Sequence, residues 1–414
     1  MNNKLPRTDL ISFLGDNKSW LAAGALLTLL SSFGQTFFIS IFAARIQADF
    51  GLSHGGWGGI YALGTFVAAA VMVWAGGLTD MFRARALGMA VLGLLGLSCL
   101  AMAWNPYAAL LPVVIFALRL TGQGMTSHIA IVAMARWFVA TRGRALAVAT
   151  LGFSLGEAIL PLTFVALMTV FDWRMLWVIA AGIAFAGIPI LAALLKSERT
   201  PQSMADENQS TGMETRHWTR RETLMHPLFW LMVPGLAGLS AFGTAFFFHQ
   251  AYYAELKGWA HISLVALFPI YTVAGIGAMI LSGIALDRFG TARLMPFFQL
   301  PLVIAFLFFA GAGSLWAGAA GLVFFALTTG ANATLPNAFW AEFYGTRSIG
   351  SIKAMAAAVM VLGSALGPGI TGVLIDLGVD LPVQYVGVSI YFLIATLCMW
   401  IGVRRARRSL PGFA

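Results

Sequence analysis

Gly76-Gly77-Leu78-Thr79-Asp80-Met81-Phe82-Arg83-Ala84-Arg85 follows one apolar run of the chain, and Gly283-Ile284-Ala285-Leu286-Asp287-Arg288-Phe289-Gly290, with Arg293 shortly after, follows another. Both give Gly-x-x-x-Asp and then aromatic and basic residues, offset by 207. Two further pairs keep nearly that offset: Thr141-Arg142 with Thr346-Arg347, at 205, and Gly152-x-x-x-Gly156 with Gly363-x-x-x-Gly367, at 211. Three matches at almost one spacing indicate two repeated halves. The chain around them has 414 residues, 59% apolar and only 10% charged, with a mean hydropathy of +0.84. A soluble domain is about a quarter charged. At roughly 20 apolar residues per bilayer crossing, this composition supplies about twelve spans. A water-soluble enzyme, a nucleic-acid binder and a disordered chain are excluded.

Apolar runs separated by short polar breaks are expected at 20–44, 55–78, 86–104, 107–135, 145–170, 173–195, 226–254, 262–286, 292–313, 315–341, 351–376 and 381–403, which we call spans 1 to 12. They are too long for a β-barrel and lack its alternation. Of the 25 Lys and Arg residues, 21 fall on one side, three (Arg45, Arg174, Lys257) on the other, and Arg119 inside span 4. The positive-inside bias places both termini in the cytoplasm. The basic tail from Arg404 to Arg408 suits an anionic lipid surface. Met1 to Trp20 is polar and lacks a signal-peptide core. Cys99 and Cys398 lie inside spans and read as apolar fillers. Residues 196–225 are the one long polar segment, expected as a flexible linker between halves at 1–195 and 226–414. Parallel six-helix repeats with a site at their interface are one transporter plan.

These features resemble the major facilitator superfamily over essentially the whole chain. The loop after span 2 is similar to that family's signature loop, with Met81 where arginine is usual, and the copy after span 8 keeps Asp287, Arg288 and Gly290. Arg136-Trp137-Phe138, Arg142-Gly143-Arg144-Ala145 and Asp172-Trp173-Arg174 also look like family members. The resemblance implies an all-α membrane fold of twelve helices in two pseudo-symmetric halves. It also implies a cytoplasmic latch, here Asp80 and Asp287 with Arg83, Arg142 and Arg288. The alternative is that these residues only set orientation and tight turns. The nearest resemblance is to the monocarboxylate and oxalate–formate branch, although no Lys or Arg stands between His261 and Leu286, where that branch carries a cation. The glycines of spans 5 and 11 allow close helix approach.

Few ionisable groups lie deep in the spans. Arg119 and Glu157 sit near the middles of spans 4 and 5. A charge at that depth is costly unless paired or facing water. One reading is a structural ion pair. The other is a cavity pair, in which Arg119 takes an anionic substrate by paired hydrogen bonds and Glu157 takes a proton when its partner is drawn away. Gln123 and Ser127 follow Arg119 at four-residue steps, on one helix face. His128 is a packing residue or a proton relay. Gln35, central in span 1, is expected to face the cavity. Tyr271 and Asn332 add polar groups at membrane depth in the second half, with Phe268 as an apolar neighbour. His249, Gln250, Tyr252 and Tyr253 line an outer mouth or form an interface belt.

The expected function is a proton-coupled secondary transporter of a small organic anion, monocarboxylate-like, as a monomer in a bacterial inner membrane. The rival is an exporter of drugs or amphiphilic metabolites by proton antiport. No nucleotide, hydrolase or clustered metal-ligand motif occurs, so neither cofactor nor metal is expected.

Overall fold

The computed structural model describes residues 10–138, 142–197, 211–345 and 348–410. Thr141, Thr346 and Arg347 lie outside them, as do the side chains of Asp80, Arg142 and Asp287. The described chain is helical, without a strand among the described residues. Among the described residues, ten helices are long and apolar enough to cross a membrane, and a bent pair makes an eleventh. The twelfth apolar segment, span 9, is a short helix, Leu300–Gly311, preceded by the turn of helix Thr291–Leu294. The expected run of 292–313 is interrupted at 295–299, where Pro296 stands, because proline lacks the N–H that a helix interior needs, and Pro301 sits in the first turn of the helix that follows, where that N–H is not needed. The protein is a multi-pass membrane protein. Large apolar side chains such as Leu63, Phe66, Leu97, Val273 and Leu281 are exposed, far beyond what a soluble monomer shows.

Several spans start where a capping residue stands. Asp172 accepts from the Arg174 amide at 2.9 Å and opens span 6, Trp173–Leu194. Ser314 opens span 10, Leu315–Asn332 continued by Leu335–Tyr344, by accepting from Ala317 N. The cap satisfies an amide that would otherwise have no helical partner. Arg174 then ties span 6 to the end of span 3, Ala84–Trp104, donating to the carbonyls of Ala103 and Asn105 at 3.1 and 2.7 Å.

Contacts group the chain into two compact units. The first holds Met1–Phe38, Val67–Leu160 and Leu167–Ala205. The second holds Ile39–Phe66, Pro161–Ala166 and Asp206–Ala414. In the first, span 5 (Arg142–Leu167) packs on span 1 so closely that a Cβ on Gly152 would collide with the Ala25 carbonyl, and one on Gly156 with Ser32. In the second, span 11 (Ile349–Asp376) packs on span 7 (Pro227–Phe248) the same way, Gly363 against Ala237 and Gly367 against Ala241. The repeat read from sequence is therefore a repeated packing contact.

The end of the polar segment is not loose. Met213 and Trp218 are buried with Leu228, Phe339, Phe343 and Tyr344. Burying one such side chain contributes about 1.5–3 kcal/mol. Thr219 and Glu222 form a capping box for the helix Arg220–Met225. The expectation of a flexible 196–225 thus fails for 211–225, because two apolar anchors and a Thr-x-x-Glu helix start were hidden in a polar composition.

Candidate functional site

In the first unit the site begins with a break. Span 1 runs Lys18–Gly34 and then Thr36–Phe50, bent by 47° at Gln35, whose backbone is extended. A Cβ on Gly122 of span 4 would lie 2.6 Å from Gly34 Cα, so the two backbones meet with no room for a side chain. The break exposes the Gly34 carbonyl to a partner other than the helix. Arg119 is that partner: only 2% exposed, it donates from Nη1 to Gly34 O and to Thr36 Oγ1, both at 3.2 Å. Gln35 is buried beside them.

Span 4 is itself irregular. Leu111–Leu118 is α-helical, Arg119–Thr126 is a π-helix, and Ser127–Trp137 returns to α. Thr126 Oγ1 reaches back five residues to Thr121 O at 2.6 Å. π-turns are rare and cluster at functional sites. Gln123 is half-buried within this turn, and Ser127 donates to Ser31 Oγ at 3.1 Å, so Arg119 and Ser127 both address span 1. The four-residue step assumed for this face does not apply through 119–126, where the turn is wider. Glu157 is half-buried on span 5, one residue from the Gly156 contact, and Phe153 meets Phe37 edge to face at 5.6 Å. His128 is half-buried, and its Nε2 would lie 3.4 Å from a Cβ at Gly76.

The latch residues are placed only in part. Asp80 falls on the short helix Leu78–Met81, Arg142 opens span 5, and Asp287 is on span 8, His261–Val265 with Phe268–Phe289. Arg83 is exposed at the start of span 3, and Arg288 is exposed with its guanidinium 5.5 Å from the Phe289 ring centre. Arg136, at the end of span 4, donates to Thr79 O at 2.7 Å and so reaches the signature loop.

In the second unit the polar groups are enclosed by aromatics. Tyr271 is buried, donates to Thr329 Oγ1 at 3.2 Å, and packs on Phe247 and Phe325. Phe268 packs on Phe247 too. Asn332 is half-buried where span 10 breaks between its two helices. His249 caps the end of span 7, and its Nε2 lies 3.0 Å from Pro368 O. Around it, Gln250 donates to Ser40 Oγ at 2.7 Å, and Tyr252 lies against the His54 ring. The Asp376 carboxylate at the end of span 11 accepts from the amides of His54 and Gly55, at 3.1 and 2.7 Å, capping span 2 (His54–Ala75) from another helix. The histidine–tyrosine cluster of the second unit is thus a packed contact with residues 39–66.

The profile of the Major Facilitator Superfamily matches residues 24–368. The chain belongs to the Major Facilitator Superfamily. It is therefore a membrane transporter that moves small molecules by alternating access, not an enzyme. The fold is shared with a bacterial homologue of the human lysosomal transporter Spinster in an inward-facing, unoccupied conformation, at TM-score 0.71 and 15% identity over 96% of this chain and 99% of that one. It is shared with the nucleoside transporter NupG at TM-score 0.68 and 13% identity, over 94% and 99%. The human organic anion transporter MFSD10 matches at TM-score 0.59 and 15% identity, over 92% and 99%. No curated protein matches the sequence significantly.

Three features of this superfamily member escaped the sequence reading. The Gly34 carbonyl and Thr36 as holders of Arg119 needed the break at Gln35, for which Gly34 was the only local signal. Asp376 reaches a helix start 321 residues away. Arg136 was visible only as part of a basic loop.

Proposed function

We propose that the transporter carries a small, monocarboxylate-like organic anion in symport with protons. The arrangement proposed has halves at 1–195 and 226–414, both termini in the cytoplasm and the chain acting as a monomer in a bacterial inner membrane. The observation that carries this reading is Arg119, a permanent cation buried at the break in span 1. Its guanidinium is held in place by Gly34 O and Thr36. A guanidinium so fixed is suited to a carboxylate, to which it presents parallel donors. Gln35 and Gln123 supply neutral polar groups around it, while Tyr271, Asn332 and His249 supply those of the second half. Glu157, on the adjoining span, takes the proton, with His128 as its route toward the signature loop. Asp80, Arg83, Arg142, Asp287 and Arg288 form the cytoplasmic latch.

Uptake of labelled monocarboxylates into proteoliposomes, with and without an inward proton gradient, tests this. Losing one charge-assisted hydrogen bond costs about 1.5–3 kcal/mol, so Arg119→Gln should lower kcat/KM by roughly ten- to a hundredfold. Glu157→Gln should keep exchange but lose its response to the gradient. Transport of every tested acid unchanged in both Arg119→Gln and Arg119→Lys would overturn the reading.

A further inference from the structure

A cavity of about 340 Å³ lies in the second unit, between the start of span 9 and the end of span 12, Leu381–Ala406. Three guanidinium groups line it: Arg293 from the helix Thr291–Leu294, Arg404 from span 12, and Arg407 just past it. Trp400, Arg404 and Arg407 follow at helical steps of four and three, so they share one face. The Arg404 guanidinium stands 5.0 Å from the Trp400 ring centre. Phe297, Trp400 and Val403 make the apolar part of the wall. Among the described residues no carboxylate pairs with any of the three arginines, and Glu342 accepts from the Thr291 hydroxyl instead.

Three like charges facing one cavity repel one another, and an anion between them removes that repulsion. The ligand chemistry is set by what surrounds the charges. A phosphate suits a guanidinium cluster. The aromatic and aliphatic wall beside it suits a glycerol and acyl chain. Phe297 and Trp400 are also exposed, as are Ile304 and Leu397 further along the same two spans, so the cavity continues into an apolar, bilayer-facing surface. Basic crevices at helix ends next to anionic leaflets attract acidic lipids. We propose that this cavity is a binding site for the phosphate head group of one anionic phospholipid, whose acyl chains lie along spans 9 and 12.

Arg405 and Arg408 are equally exposed, belong to the same basic segment and do not line the cavity, which makes them the internal control. The test uses the full chain, stripped of lipid in neutral detergent. Bound phosphatidylglycerol is counted by native mass spectrometry and its affinity read by thermal shift, alongside phosphatidylcholine and inorganic phosphate. One phosphatidylglycerol should remain bound. Changing Arg293, Arg404 and Arg407 together to Gln should weaken it at least about tenfold. Changing the same three to Lys should keep most of the affinity. Changing Arg405 and Arg408 to Gln should leave it unaltered. Equal losses in the two Gln variants would overturn the site in favour of diffuse surface charge. A full shift with inorganic phosphate alone would overturn the lipid in favour of a soluble anion.

Discussion

Span 1 and span 7, the opening helices of the two repeats, are both interrupted, the first at Gln35 and the second at His249. Each is also crossed by a glycine-bearing partner, span 5 in one unit and span 11 in the other. From there the two diverge. In the first unit the break releases a backbone carbonyl that holds a buried cation. In the second, the side chain at the break turns to a carbonyl of the partner helix and meets the Phe248 ring edge-on. Duplication kept the helix geometry, which close packing enforces, and left the chemistry free to change. The half with the charged break is the one to which the proposed function assigns the substrate's charge.

The largest expected effect comes from closing the charged break. A Cβ on Gly34 would collide with the Leu118 carbonyl and lie 2.7 Å from Gly122 Cα, and both neighbours are backbone. Gly34→Ala should therefore cost about 1–3 kcal/mol of stability, as overpacking does. It should also abolish transport, because moving Gly34 displaces the carbonyl that orients Arg119. Thermal unfolding and uptake measured on one preparation check this. Normal transport by a stable Gly34→Ala protein would show that the break does not orient Arg119, and the contrast between the two halves would lose its meaning.

A smaller effect is expected on the aromatic side. Asp376 caps span 2 through the amides of His54 and Gly55. Losing a helix cap costs about 0.5–2 kcal/mol. Asp376→Ala should speed hydrogen exchange at those two amides while leaving exchange around Gln35 unchanged. Equal acceleration in both places would mean that the two breaks open together.

How much of this was legible follows from what each feature depends on. Hydropathy, the position of the lysines and arginines, and the glycine pairs at 152 and 156 and at 363 and 367 are local patterns, and they gave the helical membrane fold and its repeat. Arg119 and Glu157 stood out as candidates because ionisable groups inside apolar runs are few. The bend at Gln35 was not, since it rests on two glycines 88 residues apart meeting backbone to backbone. The π-turn replaces the helical step on which a face-by-face reading of span 4 relied. Grouping residues 39–66 with the second unit follows from contacts such as Gln250 with Ser40, which no repeat predicts.

The smallest effect separates the proposed proton carrier from a bystander carboxylate. Glu222 accepts from the Thr219 hydroxyl at 2.6 Å, from the Thr219 amide at 2.7 Å and from Arg216 at 2.7 Å. These bonds, the Thr219 hydroxyl foremost, hold its carboxyl below the ordinary value of 4.5. A carboxyl depressed in the folded state stabilises fully above its unfolded value, and that contribution is lost as pH falls through the folded one. Glu222→Gln should thus lower the melting temperature slightly at neutral pH, and the gap from the unaltered protein should close as pH falls below the ordinary carboxyl value of 4.5. Glu222 belongs to neither break, so its variant should leave the proton dependence of uptake where it was, while Glu157→Gln removes it. If Glu222→Gln shifted that dependence as well, the pH response of transport would report the docking of 211–225 rather than a proton taken up by Glu157.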